Sequence, residues 1–392
     1  MVSSVRWLTK DLWIVVAGFM AAIHIGKLPP TVPVLQAELG ISLVQAGFLL
    51  SLVQAAGMSF ALLLGSYTAK IGLKRCVLLG LTLLGSASFI GGFVQDYSAL
   101  LILRVIEGFG FLLVTLSGPA MIRQLVAIEQ LPAKMGLWSA YMGGGMGIGL
   151  LTTPFLLNVL DWQGVWMCFA LLSFILAIII YKVVPSVQIG TQTIAIFDLI
   201  KATLTHPPAW ILALVFGVYA GQWFSLVGFL PTIYQQYQIS LQTAGILTAM
   251  VAIANAVGTL VCGILLQRGF RALVLMQLGF VVLILCALSF YILREALPFV
   301  VQFLLVLNFS LFGGLVAAVV FAQVMHFAPQ PVAISTTIGL VLQCSASSQF
   351  LLPPVVAAIV SVTGTWFWVG ILMAVLSAIG MLLSAILFRK TA

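Results

Sequence analysis

Apolar residues run along this chain in long blocks, each closed by a short polar or Gly/Pro-rich break. Twelve blocks follow one another, centred near residues 24, 55, 85, 110, 147, 174, 220, 250, 282, 312, 346 and 377. A helix of about 20 apolar residues crosses a hydrocarbon core roughly 30 Å thick, so each block predicts a membrane-spanning helix. The longest polar connection, "KVVPSVQIGTQTIAIFDLIKATLTHPPAW", follows the sixth block and divides the chain near its middle. The expectation is an all-α integral membrane protein of twelve transmembrane helices in two six-helix bundles, residues 1–181 and 210–392, joined by a cytoplasmic linker at 182–209.

Composition agrees with that class. The chain is 63% hydrophobic and only 6% charged, where soluble domains carry about 25% charged residues. Its net charge of +8 is not gathered into a nucleic-acid patch; it reports topology. With the N-terminus inside, the cytoplasmic segments hold Arg6, Lys10, Lys70, Lys74, Arg75, Arg123, Lys134, Lys182, Lys201, Arg268, Arg271, Arg389 and Lys390. The outer loops hold only Arg294, beside Glu38, Asp96, Asp161 and Glu295. The positive-inside rule therefore puts both termini in the cytoplasm. "MVSSVRWLTKDLW" runs straight into a full-length span without a small-residue cleavage site, unlike a signal peptide. The five cysteines form no C-x-x-C pair, so neither a disulfide framework nor a metal site is expected.

The two halves repeat. "ISLVQAG" at 41–47 matches "ISLQTAG" at 239–245, an offset of 198, which also pairs Pro33 with Pro231, Gly65 with Gly263 and Lys70 with Arg268. Pro154, Gly164 and Trp166 meet Pro353, Gly364 and Trp366 at offsets of 199 to 200. Six spans repeated in parallel is the plan of a carrier that rocks two bundles about a central site.

At this point the chain resembles the major facilitator superfamily over essentially its whole length. "GSYTAKIGLKR" (65–75) occupies the loop where that family carries G-x-L-A-D-R-x-G-R-K, with Gly65, Lys70, Gly72, Lys74 and Arg75 matching. The resemblance implies a gating role for Gly65, Lys70, Gly72, Arg75 and Arg268. The acid that helps latch the family's bundles is Ala69 here and Gln267 in the second half, which puts that latch in doubt. "LILRVIEGFG" looks like the family's fourth-span R-x-x-x-G, and "MGLWSAYMGGGMGIGLLTTPFL" is similar to the cyanate permease and nitroimidazole transporter branch. The Gly-Pro pair of drug/proton antiporters is missing from that fifth span.

Four groups that commonly ionise lie at membrane depth: His24, Lys27, Arg104 and Glu107. At about 1.5 Å rise per residue, counting from Glu38 and Asp96, Lys27 and Glu107 both lie about 16 Å deep and Arg104 about 12 Å. His24 and Lys27 share a helix face, as do Arg104 and Glu107. The pattern suggests that Lys27 and Arg104 attract a small anion, Arg104 as a planar fork, while Glu107 and His24 carry a coupled proton. Three structural readings compete: Arg104 and Glu107 neutralise one another, Lys27 snorkels or pairs with carbonyls freed by Pro29 and Pro30, and His24 is a packing residue. The second half offers uncharged candidates, Tyr219, Gln222, Trp223, Asn255, Asn308 and Gln343, which suit either a pocket or helix–helix glue. The glycine run 143–149 reads as a packing and hinge surface against the other half.

Rival classes lack their signatures. There is no phosphate loop for an ATP-driven pump, no H-E-x-x-H or G-x-S-x-G for an enzyme, and no ring of charges for a channel. The expectation is a secondary active transporter of a small, cyanate-like or organic anion by proton-coupled symport, with a proton-coupled exporter of drugs or metabolites as the alternative. It needs a lipid bilayer and a solute but no cofactor, nucleic acid or protein partner. A monomer in a bacterial inner membrane is expected.

Overall fold

The computed structural model describes residues 9–127, 134, 137–138, 140–186, 196–330 and 333–389, without the side chains of 65–70, 196 and 335. Eleven helical stretches among these residues are long and apolar enough to cross a membrane. The first span is α1 (Lys10–Gly26) followed by α2 (Leu28–Leu39), and the second is α3 (Leu43–Ser51) followed by α4 (Ala55–Ile71). Then come α5 (Leu73–Gly91), α6 (Tyr97–Leu125), α7 (Tyr141–Leu156) and α8 (Trp162–Val183). The linker carries α9 (Ile196–Leu204). The second half holds α10 (Pro207–Gln235), α11 (Leu241–Gln267), α12 (Ala272–Ile292), α13 (Phe299–Phe327), α14 (Ile334–Thr363) and α15 (Phe367–Arg389). The fifth block is the exception in length: α7 has 16 residues, and part of its N-terminal flank, with Met135, Gly136 and Ser139 of the permease-like run, lies outside the described residues.

The sequence repeat is a repeat of capping chemistry. Ser42 accepts from the Gln45 N–H and Gln45 returns a bond to the Ser42 N–H, a capping box that starts α3. Ser240, at the matching position, accepts from the Thr243 N–H and starts α11. Just before each cap the chain makes a left-handed turn, at Gly40 (φ 64°) and at Gln238 (φ 57°). We call the end bearing these turns outer, following the charge bias.

The repeat also builds the contact between the halves reciprocally. Gly47 of α3 lies against the backbone of Pro353 and Pro354 in α14, and Gly245 of α11 lies against Leu150 and Pro154 in α7. A Cβ at Gly245 would stand 2.8 Å from the Leu150 carbonyl oxygen, so only glycine lets the helices approach this closely. The glycine run of α7 divides between two neighbours. Gly143 and Gly147 face Ala252 and Ile253 of α11 across the interface, while Gly144, Gly145 and Gly149 face Phe19, Ala22, Ile23 and Gly26 of α1 within the first half. The run is thus a packing surface against the other half and against the first span at once.

Gly40 and Gln238 give a direct test. Nothing lies within 4 Å of a Cβ built at Gly40, so Gly40→Gln is expected to cost only the left-handed conformation, about 1 kcal/mol. Gly40→Val, β-branched, is expected to cost more. Thermal unfolding of the purified protein in detergent measures both, and equal losses for the two would contradict this account.

Candidate functional site

The first span breaks at its lysine. Lys27 separates α1 from α2, and Pro29 and Pro30 fill the first turn of α2, where prolines lack the N–H that would bond back to the preceding turn. The Lys27 side chain is fully buried, and it turns into its own half, toward α5, α6 and α8. Its Nζ donates to Glu107 Oε1 at 2.6 Å, Ser88 Oγ at 2.7 Å and His24 Nδ1 at 3.2 Å. It also stands 4.5 Å from the centroid of the Trp166 ring. An ammonium has three protons to donate. All three are taken.

Proton positions follow from where each hydroxyl is committed. Ser173 donates to the Phe169 carbonyl at 3.0 Å, so in its 2.8 Å contact with His24 it accepts, and Nε2 of the imidazole carries the proton. Nδ1 is then the acceptor that Lys27 requires, and His24 is a neutral brace. Ser88 likewise donates to the Trp166 carbonyl at 2.8 Å and accepts from Lys27. The second carboxylate oxygen of Glu107, Oε2, accepts from Arg104 Nη1 at 2.5 Å. Arg104 further donates from Nη1 to the His24 carbonyl and from Nε to the Leu49 carbonyl, each at 3.2 Å. Its Nη2 is buried and has no hydrogen-bond partner among the described residues.

Two cations against one carboxylate leave one positive charge, in groups no more than 3% exposed. A buried charge is tolerated where it is paired and hydrogen-bonded, and Lys27 and Glu107 meet that condition fully. Arg104 meets it on two of its three nitrogens. The surplus charge and the open donor therefore coincide on one group, whose guanidinium reaches the first, second and fourth spans. An acceptor carrying negative charge would complete it.

The structure thus brings His24, Lys27, Arg104 and Glu107 together, as their depth and spacing suggest. Lys27 is committed to protein acceptors and holds Glu107; Arg104 is the cation with an open valence. His24 braces the first span against the sixth, an arrangement that the other half repeats without charge. Gln222, 198 residues on from His24, accepts from Ser377 of the last span at 2.9 Å, just as His24 meets Ser173 of the sixth. Gln222 is fully buried in that role.

Of the other candidates, three form one network. Asn255 donates to Tyr219 Oη at 2.5 Å and to the Ser310 carbonyl at 2.9 Å, and Trp223 Nε1 donates to Ser310 Oγ at 2.8 Å. Asn308 is spent on the Leu304 carbonyl of its own helix. Gln343 accepts from the Leu62 N–H of α4, across the interface. Gly72 (φ 97°) makes the turn between α4 and α5 that its missing Cβ permits. Arg75 and Arg268 are exposed near that end. Gly65 lies within α4, and the side chain of Lys70 is outside what the structure describes. Ser88, Ser173, Gln54 and Gln349 escaped sequence analysis; each is a polar residue in an otherwise apolar span, and depth was the available signal.

Residues 14–353 match the Major Facilitator Superfamily, and the chain belongs to that family. It is 26% identical over 234 residues to the cyanate transport protein CynX of Escherichia coli (strain K12), covering 59% of this chain and 60% of CynX. It is 29% identical over 163 residues to the methyl viologen resistance protein SmvA of Salmonella typhimurium (strain LT2), covering 41% of this chain and 33% of SmvA. The chain thus spans less than two thirds of these curated relatives. Its backbone superposes on a bacterial homologue of the human lysosomal transporter Spinster, solved inward-facing and unoccupied, with a TM-score of 0.78, 14% identity and 97% of each chain covered. That likeness is one of fold.

Glutamine offers both an acceptor and a donor, so His24→Gln is expected to preserve the brace, the folding yield and the thermal stability. Lys27→Ala leaves Glu107 paired with Arg104 but removes the donor that Glu107 Oε1, Ser88 and His24 share, and it is expected to destabilise by about 1–3 kcal/mol. Detergent-extracted melting curves of the two variants check this. A His24→Gln protein as unstable as Lys27→Ala would refute the neutral brace.

Proposed function

We propose that this membrane protein is a secondary active transporter that carries a small anion together with a proton by alternating access, with Arg104 as the anion anchor. The observation that supports it is the buried, unpartnered Nη2 of Arg104 in a cluster bearing one uncompensated positive charge. An anion that reaches Nη2 competes with Glu107 for the same guanidinium. If Glu107 takes a proton, Nη1 is released, and Nη1 with Nη2 offers the parallel pair of N–H groups that suits a carboxylate-like edge.

Each ligand then makes room for the other. Protonation alone would leave two buried cations against no carboxylate, and the anion alone would sit against Glu107 on one guanidinium. Together they restore the resting charge. Tyr219, Trp223 and Asn255 supply uncharged polar groups from the other half, a few orienting contacts in a largely apolar surround. The partial likeness to the cyanate transport protein favours a small anion, and a bacterial inner membrane is the setting we infer. A proton-coupled exporter of a drug or metabolite is the second reading, favoured by the partial likeness to the methyl viologen resistance protein.

Proteoliposomes under an inward pH gradient, clamped with potassium and valinomycin, separate the two. Proton entry triggered by one member of a panel of small anions is expected; proton exit on adding a cationic or neutral compound would mean export. Arg104→Lys keeps the charge but loses the fork, and apparent affinity is expected to fall about tenfold or more. Glu107→Gln is expected to abolish pH-driven accumulation while anion exchange at equal pH continues. Concentrative uptake by Glu107→Gln would end the coupling scheme.

A further inference from the structure

The second span is interrupted at its middle. α3 stops at Ser51, α4 resumes at Ala55, and Leu52–Gln54 form a 3₁₀ turn. Neither proline nor glycine lies in that turn, so side-chain identity does not force the break. A short 3₁₀ stretch inside a helix often marks a hinge or local strain. Gln54, the last residue of the turn, is 4% exposed and reaches across to the other half. Its Nε2 donates to Gln349 Oε1 at 2.8 Å, and Gln349 Nε2 donates to Ser345 Oγ at 2.7 Å.

Both sides of the turn pack closely on α14. On the outer side, α3 rests by Gly47 on the backbone of Pro353 and Pro354, a contact without room for a side chain. On the cytoplasmic side, α4 meets α14 through small residues, Gly57 at Ala346 and Gly339 at Leu62. One polar bond accompanies them, from the Leu62 N–H to Gln343 Oε1 at 3.2 Å. Ala56 and Ala61 of α4 pack with Leu112 of α6, beside Leu64, Phe109, Leu116 and Leu342, in a cluster apart from the main core. Among the described residues, the remaining direct side-chain hydrogen bond between the halves is Gln242 to Asn158 at the outer end.

We propose that α4 is a gating arm. It swings about the Leu52–Gln54 turn, away from α14, with the Gln54–Gln349 amide pair as its fixed point and Gln343 as the latch that holds it shut. This rests on the transporter reading but not on the solute. Gln343 then belongs to the gate and leaves the set of solute contacts. Separation of α4 from α14 gives up the Leu62–Gln343 hydrogen bond and the close packing of Gly57 on Ala346 and of Leu62 on Gly339 in exchange for an opening toward the cytoplasm, while α3 and the charged cluster beside it stay in place.

A spin-label pair inside the first half distinguishes a swinging arm from rocking of a rigid bundle. Ile71, at the end of α4, is 37% exposed, and Val183, at the end of α8, is 42% exposed. Nitroxides at Ile71→Cys and Val183→Cys are compared in the parent and in Gln343→Ala and Gln343→Met, with unsubstituted protein labelled in parallel to subtract its five native cysteines. Two distances are expected in the parent. Each Gln343 variant should enlarge the second population about three- to eighteenfold, the range for losing one interhelical hydrogen bond. A single distance common to all three proteins, or a ratio indifferent to Gln343, overturns the arm. Anion uptake is measured on the same proteins; its failure would remove the anion reading and leave the distances to decide the gate.

Discussion

The structure of the first half depends on one carboxylate. Glu107 accepts from Lys27 with one oxygen and from Arg104 with the other, at a depth where an unpaired charge costs at least a few kcal/mol. Through Lys27 it fixes the joint of the first span and the serine of the third. Through Arg104 it reaches carbonyls of the first and second spans. His24 and Ser173 extend the same network to the sixth. Five of six spans are tied to one point, the second through α3, so the half has a polar centre and an apolar periphery.

The second half reaches a similar shape without that charge. Gln222 and Ser377 stand where His24 and Ser173 stand, and Ser225 and Cys286 lie 198 residues on from Lys27 and Ser88. The comparison separates what the fold needs from what is peculiar to one half. A polar brace between the first and last helix of each bundle is common to both; the cations and the carboxylate are not. Intramembrane charge that the fold can do without is the kind retained for a task.

Much of this was legible in residue order. Span lengths, the repeat and the spacing of the four ionisable groups are one-dimensional quantities, and eleven spans, the matching caps at Ser42 and Ser240 and the meeting of the four groups answer to them in three dimensions. The direction in which a side chain points is different. His24 and Lys27 share a helix face, but nothing in their spacing says whether that face meets the other half or the interior of their own. The 3₁₀ turn at Leu52–Gln54 was equally hidden, because no residue in "SLVQAAG" demands it. Serines such as Ser88 and Ser173 carry meaning only once a charged partner is seen beside them.

The charge balance of the cluster has an energetic corollary. With neither ligand bound the buried groups sum to one positive charge, and with one proton and one monoanion bound they sum to the same. On the proposed stoichiometry the loaded and empty halves carry identical charge through the bilayer, so membrane voltage performs no net work over a cycle. Accumulation is then limited by the proton gradient alone, about tenfold for each pH unit. The surplus charge is thereby a constant of the carrier, present on both legs of its journey and cancelled from its thermodynamics.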